Sequence, residues 1–217
     1  MAGVITRNGR LLMMSQRDLH RPLLLAFVAL SLAACQSRPT LQHGTVYQPA
    51  AQAPPISLAT TDGSAFSLEQ VRGKTVLVYF GYTNCPDFCP ATLATLDWML
   101  DQLGDRSDQV RVVFVSVDPE RDTPEVLQRY LDAFRPGMIG LTGDLATLKD
   151  TVESYGAFAS TTNELLLEEE PGVVVHSTRL FVIDADGRLR ANYAFDVDRQ
   201  DLLDDLSRLL DATAGSS

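Results

Sequence analysis

The sequence holds little soft-ligand chemistry, with three cysteines and three histidines in 217 residues. Any site built on thiolate or imidazole must therefore use nearly all of them. Tryptophan occurs once, and aromatic residues make up 7% of the chain. Basic residues are also scarce: 18 Lys and Arg stand against 28 Asp and Glu, a formal net charge of −10. A chain of that sign lacks the basic face that neutralises phosphates, which excludes nucleic acid as an expected partner. No internal repeat is present. A bilayer-spanning helix needs about 20 apolar residues, and the N-terminal run Pro22 to Ala34 has only 13. What remains is a globular composition, 45% hydrophobic and 21% charged, which rules out a disordered or disulfide-rich class.

That run, PLLLAFVALSLAA, follows Arg7, Arg10, Arg17 and Arg21 and ends in small residues, the pattern of a secretory signal. Its last residues, Leu32-Ala33-Ala34-Cys35, resemble the lipobox of bacterial lipoproteins. By that resemblance residues 1–34 are a signal peptide and Cys35 becomes the lipidated N-terminus. The protein is then expected in the cell envelope, lipid-anchored to a bacterial membrane and facing the periplasm or extracytoplasmic side. A plain signal cut after Ala34 would leave Cys35 incidental. Residues 1–34 carry four Arg and one Asp, so the remainder has a net charge of −13 rather than −10. Residues 35–53 read as lipidated N-terminus and flexible tether, being polar and rich in Pro, Ala and Gln. His43 lies there and is read as a bystander, because ordering a mobile ligand costs entropy.

Residues 54–212 read as one α/β domain, and 213–217 as a disordered tail. Asp62-Gly63 marks a hairpin turn between two short apolar segments. The run Thr75 to Phe80 is continuous, β-branched and aromatic, as in a buried central strand. Leu93, Leu96, Leu100 and Leu103 share one helical face. A second buried strand is expected over Val110 to Val117. Thr123-Pro124 should cap and open a helix that runs through Phe134. A short strand near Met138–Leu141, a helix from Asp144 to Tyr155, strands at Arg179–Ile183 and Arg188–Phe195, and a last helix from Arg199 to Leu210 complete the order. This is a mixed sheet with an N-terminal β-hairpin and an inserted loop before the His-bearing strand, compatible with a thioredoxin-like fold.

Cys85 and Cys89 sit in Gly81-Tyr-Thr-Asn-Cys-Pro-Asp-Phe-Cys-Pro90, between a buried strand and a helix. The carboxyl end of a central strand is where open α/β sheets place their sites. A helix N-terminus there should lower a thiol pKa, and Pro90 should hold Cys89 out of helical geometry. A Cys-x-x-Cys pair would point to thioredoxin-type exchange; three intervening residues let the sulfurs converge on one ion as readily as on each other. A disulfide or reduced pair therefore stays open on spacing alone. His176, at the entry to a strand that should neighbour the Cys-bearing one, supplies an S₂N set. Such a set suits copper, and zinc would accept it with a water.

Three motifs then resemble one family: GYTNCPDFCP (81–90), VSVDPERDTPEVLQRYL (115–131) and HSTRLFVIDADG (176–187) are similar to the Sco/SenC copper-binding thioredoxin-like proteins. The resemblance implies one copper ion per chain, Cu(I) or Cu(II), carried by Cys85, Cys89 and His176. It also implies delivery of copper to the dinuclear copper site of cytochrome c oxidase, or reduction of that site's cysteines. The partner would be a copper-accepting oxidase subunit or another copper chaperone, met by a monomer. The activity would be that of a chaperone with thiol–disulfide reductase capability more than a turnover enzyme. Asn84 departs from the family, which often has His before the first cysteine, at a position that is not a ligand. Asp118 is a candidate for facing a partner or supporting a positive site, and Asp122 reads equally as part of a polar strand-to-helix turn. Glu168-Glu169-Glu170 reads as a solvated loop. The competing readings are an extracytoplasmic thiol–disulfide oxidoreductase without an obligatory metal, and a lipoprotein peroxidase.

Overall fold

The computed structural model describes residues 41–161 and 174–214. The signal segment, Cys35, residues 36–40, the three glutamates 168–170 and the last three residues lie outside them. Through the described residues the chain runs β1 (Thr45–Gln52), β2 (Leu58–Thr60), β3 (Ala65–Phe66), β4 (Thr75–Gly81), α1 (Phe88–Leu103) and β5 (Val110–Ser116). It continues through α2 (Pro124–Asp132), β6 (Ile139–Thr142), α3 (Leu145–Ser154), β7 (Ala159–Thr161), β8 (Val174–His176), β9 (Leu180–Ile183), β10 (Arg188–Tyr193) and α4 (Arg199–Ala214). Eight strands form one sheet in the order β1-β10-β9-β4-β5-β6-β2-β3, while β7 and β8 make a separate ribbon. β4, β5 and β6 are parallel and the remaining neighbours antiparallel, which is the mixed sheet expected.

Every residue of β4 is buried, because it lies between β5 and β9 and has no edge. An unbroken apolar run is the solution for a strand covered on both faces. Tyr79, Phe80, Phe114 and Phe181 fill the core around it. Helix α1 buries Leu93, Leu96, Leu100 and Leu103 and packs on α4. Thr123 caps α2 by accepting from the Val126 N–H at 3.4 Å, with Pro124 at the first helical position. Asp144 caps α3 in the same way, from the Thr147 N–H at 3.0 Å. The β2–β3 hairpin turns at Gly63, whose φ of +84° few other residues adopt.

The tether reading fails for residues 41–53. Leu41 is buried, and Thr45–Gln52 is an edge strand paired with β10. Its composition hides this, because an edge strand is half exposed and carries a bulge between Val46 and Ala51 that accommodates Pro49. The arm is clipped from below by Asp205, a fully buried carboxylate on α4. It accepts from the Gln42 N–H at 2.8 Å, the His43 N–H at 2.8 Å and the Tyr193 hydroxyl at 2.9 Å. Gly44, with φ of +75°, allows the close approach: a Cβ there would stand 2.7 Å from the Asn192 carbonyl and from the Tyr193 ring. His43 belongs to this clip, with Nδ1 3.3 Å from Asp201. The last helix also reaches Ala214, past the expected start of the tail.

Asp205→Ala leaves two backbone donors and a phenol without their acceptor. Its expected cost is about 3 kcal/mol or more in urea unfolding, at about 1–3 kcal/mol for each of the three groups orphaned, with faster amide exchange at Gln42 and His43. Unchanged stability and exchange would show that the arm is not held by this carboxylate.

Candidate metal centre

The site is assembled by register. β4 and β5 pair in parallel from Thr75↔Val110 to Gly81↔Ser116, so both strands end together. β9 runs antiparallel to β4, with Tyr79 opposite Leu180, so the chain enters β9 at that same edge. The Cys loop, the turn after β5 and the segment leading into β9 therefore share one edge of the sheet. The Val117 N–H donates to the Gly81 carbonyl at 2.8 Å and ties the first two together. His176 reaches the edge from the ribbon: it is the last residue of β8, opposite Ala159, and β9 begins only at Leu180. The strand expected at Arg179–Ile183 is β9, and His176 stands before its entry as the end of a short ribbon strand that the sequence pattern did not indicate.

Cys85 and Cys89 are both buried, unbridged thiols. Their Sγ atoms and a ring nitrogen of His176 all lie within 4.8 Å of one another, the one cluster of this kind among the described residues. Cys89 Sγ is 3.7 Å from His176 Nε2. On the other side of the ring, His176 Nδ1 is 3.1 Å from the Ser177 carbonyl. A carbonyl only accepts, so Nδ1 carries the proton and Nε2 presents its lone pair to the sulfurs. The rings of Tyr82 and Tyr79 stand edge-on to His176, with centroids 5.6 and 6.3 Å away. Burial pushes the imidazole below its ordinary pKa, against the upward pull of the Ser177 and Phe80 carbonyls, which favours the neutral ring a metal needs.

The thiols are unequal. Cys89 is fully enclosed, and burial drives its thiol far above the ordinary value, opposed by a hydrogen bond from the Tyr82 backbone. The helix N-terminus does not lower this thiol, because desolvation outweighs the helix dipole when no cation is present. Cys89 is also inside the first turn of α1: Pro90 is accommodated there because N–H groups of a first turn have no helical partner to lose. The Cys89 N–H instead donates to Cys85 Sγ at 3.4 Å, and the Tyr79 hydroxyl lies 3.8 Å from Cys89 Sγ. Gly81 permits this packing, since a Cβ would stand 2.9 Å from Cys89 Sγ and 2.9 Å from the Phe114 ring.

A family profile described as SCO1/SenC matches residues 45–211. The chain belongs to the SCO1/SenC family. It is 32% identical over 150 residues to the SCO2-like protein RP587 of Rickettsia prowazekii, a match covering 69% of this chain and 73% of that one. Among solved structures it resembles Bradyrhizobium japonicum ScoI with copper bound, at 33% identity and a TM-score of 0.64, over 73% of this chain and 99% of that one. BsSco, described as a member of the Sco family of cytochrome c oxidase assembly proteins and as having a disulfide switch, shares the fold. Its TM-score is 0.59 at 21% identity, over 76% of this chain and 95% of that one. These likenesses carry the α/β thioredoxin-like Sco fold onto the eight-stranded sheet and four helices described above.

Within this Sco fold the two acidic residues of the β5–α2 turn are held differently. Asp118 is paired with Arg121 at 2.5 Å and is not one of the clustered ligand groups. Asp122 is fully buried and grips the Cys loop. It accepts from the Thr83 hydroxyl at 2.5 Å, the Thr83 N–H at 3.1 Å and the Ser116 hydroxyl at 2.6 Å. Burial raises its carboxyl above the usual range, opposed by those same donors. The available signal was Ser116, a lone hydroxyl at the end of VRVVFVS that needs a buried partner.

Two outcomes follow from this packing. Gly81→Ala should lower thermal stability and displace Cys89 Sγ, seen as altered alkylation of the denatured-controlled thiol pair; wild-type values would mean that the close approach is not needed. Because the folded pKa of Asp122 is raised, its contribution is full below the unfolded value of about 4 and is lost as pH rises through the folded one. The stability of wild type relative to Asp122→Asn should therefore decline across that window in urea titrations at stepped pH. A flat difference would place the carboxylate in a wetter site than the one described.

Proposed function

We propose that this chain is a copper metallochaperone whose cargo is held by Cys85 Sγ, Cys89 Sγ and His176 Nε2, and which serves the assembly of cytochrome c oxidase. The observation that carries the reading is the convergence of two thiols and an oriented imidazole lone pair. Donors set trigonally around one ion at about 2.0–2.3 Å lie about 3.5–4.0 Å apart, so the observed separation within 4.8 Å needs only a small contraction. Soft thiolates with one imidazole are a copper donor set. Supporting it are membership of the SCO1/SenC family and the likeness to a copper-bound ScoI.

Loading must remove the protons of both thiols, and at Cys89 burial opposes this until a cation is present. Copper would thus enter through Cys85, the less enclosed sulfur, and leave by stepwise ligand exchange onto cysteines and histidines of the acceptor. The same pair can act as a reductant. Two thiols would pass two electrons and two protons to a partner's disulfide, leaving a Cys85–Cys89 disulfide here and two thiols on the partner. We also assign residues 1–34 to a signal peptide and Cys35 to a lipid anchor, on the resemblance of Leu32–Cys35 to a lipobox. No helix of the described residues is long and apolar enough to cross a membrane.

The test is anaerobic copper titration of the reduced protein, followed by absorption and EPR. One equivalent should bind with sulfur-to-copper charge-transfer bands in wild type. Cys85→Ala and His176→Ala should weaken binding at least tenfold and change those bands. Spectra indifferent to His176→Ala, with fast turnover on a disulfide substrate, would replace this reading with the metal-free oxidoreductase.

A further inference from the structure

Among the described residues, the exposed large apolar side chains are Phe88, Leu145, Phe158 and Phe195. Each of the three phenylalanines is linked to a residue at or beside a candidate ligand, or to another of the three. Phe88 lies between the two cysteines in sequence and is 43% exposed; Phe195, which follows β10, is 49% exposed and meets it edge to face with ring centroids 4.6 Å apart. Phe158, 49% exposed, precedes β7 and is bound to Ser177, the residue after His176. Its N–H donates to Ser177 Oγ at 2.9 Å, and its carbonyl accepts from the Ser177 N–H at 2.7 Å. Single apolar residues scattered on a surface need no explanation, but a gathering around one site marks a contact.

Acidic residues flank the ring pair along the chain. Asp87, Asp196 and Asp198 are exposed. Asp87 sits at the N-cap of α1 without using its side chain there, and Asp198 spends one oxygen on the Gln200 N–H at 2.7 Å. Neither Asp87 nor Asp196 has an ion-pair partner among the described residues. The adjacent cation, Arg199, lies over the Trp98 ring at 4.4 Å. The result is an aromatic pair with exposed carboxylates on both contributing loops, in a chain of net charge −10.

We propose that Phe88, Phe195 and Phe158, with Asp87 and Asp196, are the docking surface for a cationic protein face, one whose lysines or arginines surround an apolar depression that receives the phenylalanine pair. The proposal rests on the copper-transfer reading, because the partner it seats is the protein that takes or supplies the ion. Anything covering Phe88 stands beside Cys85, where exchange would begin. The carboxylates steer encounter and reject acidic surfaces, while the rings slow dissociation. An anionic lipid surface would meet the same carboxylates and be repelled, which favours a protein over a membrane.

The probe is a fluorescently labelled amphipathic peptide of lysine and leucine, titrated against the full chain in its reduced form. A glutamate–leucine peptide of equal length and phosphatidylcholine vesicles serve as comparators. The lysine–leucine peptide should bind with an affinity that falls with salt, and the glutamate–leucine peptide should not. Phe195→Ser, and Asp87→Asn combined with Asp196→Asn, should each weaken binding at least tenfold, while Leu145→Ser, which removes the exposed apolar residue of α3, should not. Binding indifferent to Phe195→Ser, or equally sensitive to Leu145→Ser, overturns the proposal. Vesicle binding that disappears in Phe195→Ser overturns it in favour of a lipid contact. Copper titration of Phe195→Ser separates the two readings. Normal copper spectra with lost peptide binding support docking as distinct from ligation; absent copper binding in wild type, with the peptide contrasts intact, removes the copper reading and leaves the docking surface for a cationic face standing.

Discussion

The pairing of β4 with β5 in parallel and with β9 in antiparallel sense is the arrangement on which the rest depends. Seven residue pairs hold β4 and β5 level, so their C-terminal ends emerge side by side and the entry to β9 comes to meet them. A shift of one residue would turn every side chain of β4 to the other face and separate Gly81 from Ser116. The fully apolar character of β4 secures the register, because every position has a neighbour to bury against. The metal centre is thus an edge property of the sheet, and its loops need little length of their own.

Burial at that edge also governs the chemistry. Enclosing Cys89 makes its thiolate costly, while enclosing His176 makes its neutral form preferred. Those effects act in one direction for an incoming cation: the imidazole is already deprotonated, and the buried sulfur gains its charge only when a metal compensates it. A group left charged and empty at this depth would weigh on stability. The fold therefore holds the Cys89 thiol protonated until loading. Asp122 is a buried acid in the neighbouring turn, and its four contacts with Thr83 and Ser116 are spent on holding the Cys loop rather than on ligation.

Much of this was legible in the chain itself. The Cys85–Cys89 pair after a buried strand, the Thr123-capped helix, the helix from about Asp144 and the Asp62-Gly63 turn all come from local patterns that the fold respects, whereas His176 was drawn to the cysteines by family resemblance. The arm was not legible: β1 shows no alternation, since half its residues face water and its order comes from a carboxylate on α4. Asp122 looked interchangeable with a turn residue because its donors lie elsewhere in sequence. Pro90 and the helix N-terminus misled at Cys89, where a favourable dipole is outweighed by the removal of water.

What the sequence alone determined is the inventory: few soft ligands, their strand–loop–helix setting, an acidic surface, and motifs of the SCO1/SenC family. Periodicity, capping and turn chemistry act over a few residues, so they can be read in order along the chain. Tertiary structure decided which of those residues meet. Thr83 finds Asp122 across 39 residues, Cys89 finds His176 across 87, and Gln42 finds Asp205 across 163. It also decided protonation, through the Ser177 carbonyl and the loss of solvent, and it brought Phe88 and Phe195 together from separate segments. Contacts at such separations depend on sheet order and depth of burial, and neither quantity is written in any local stretch of sequence.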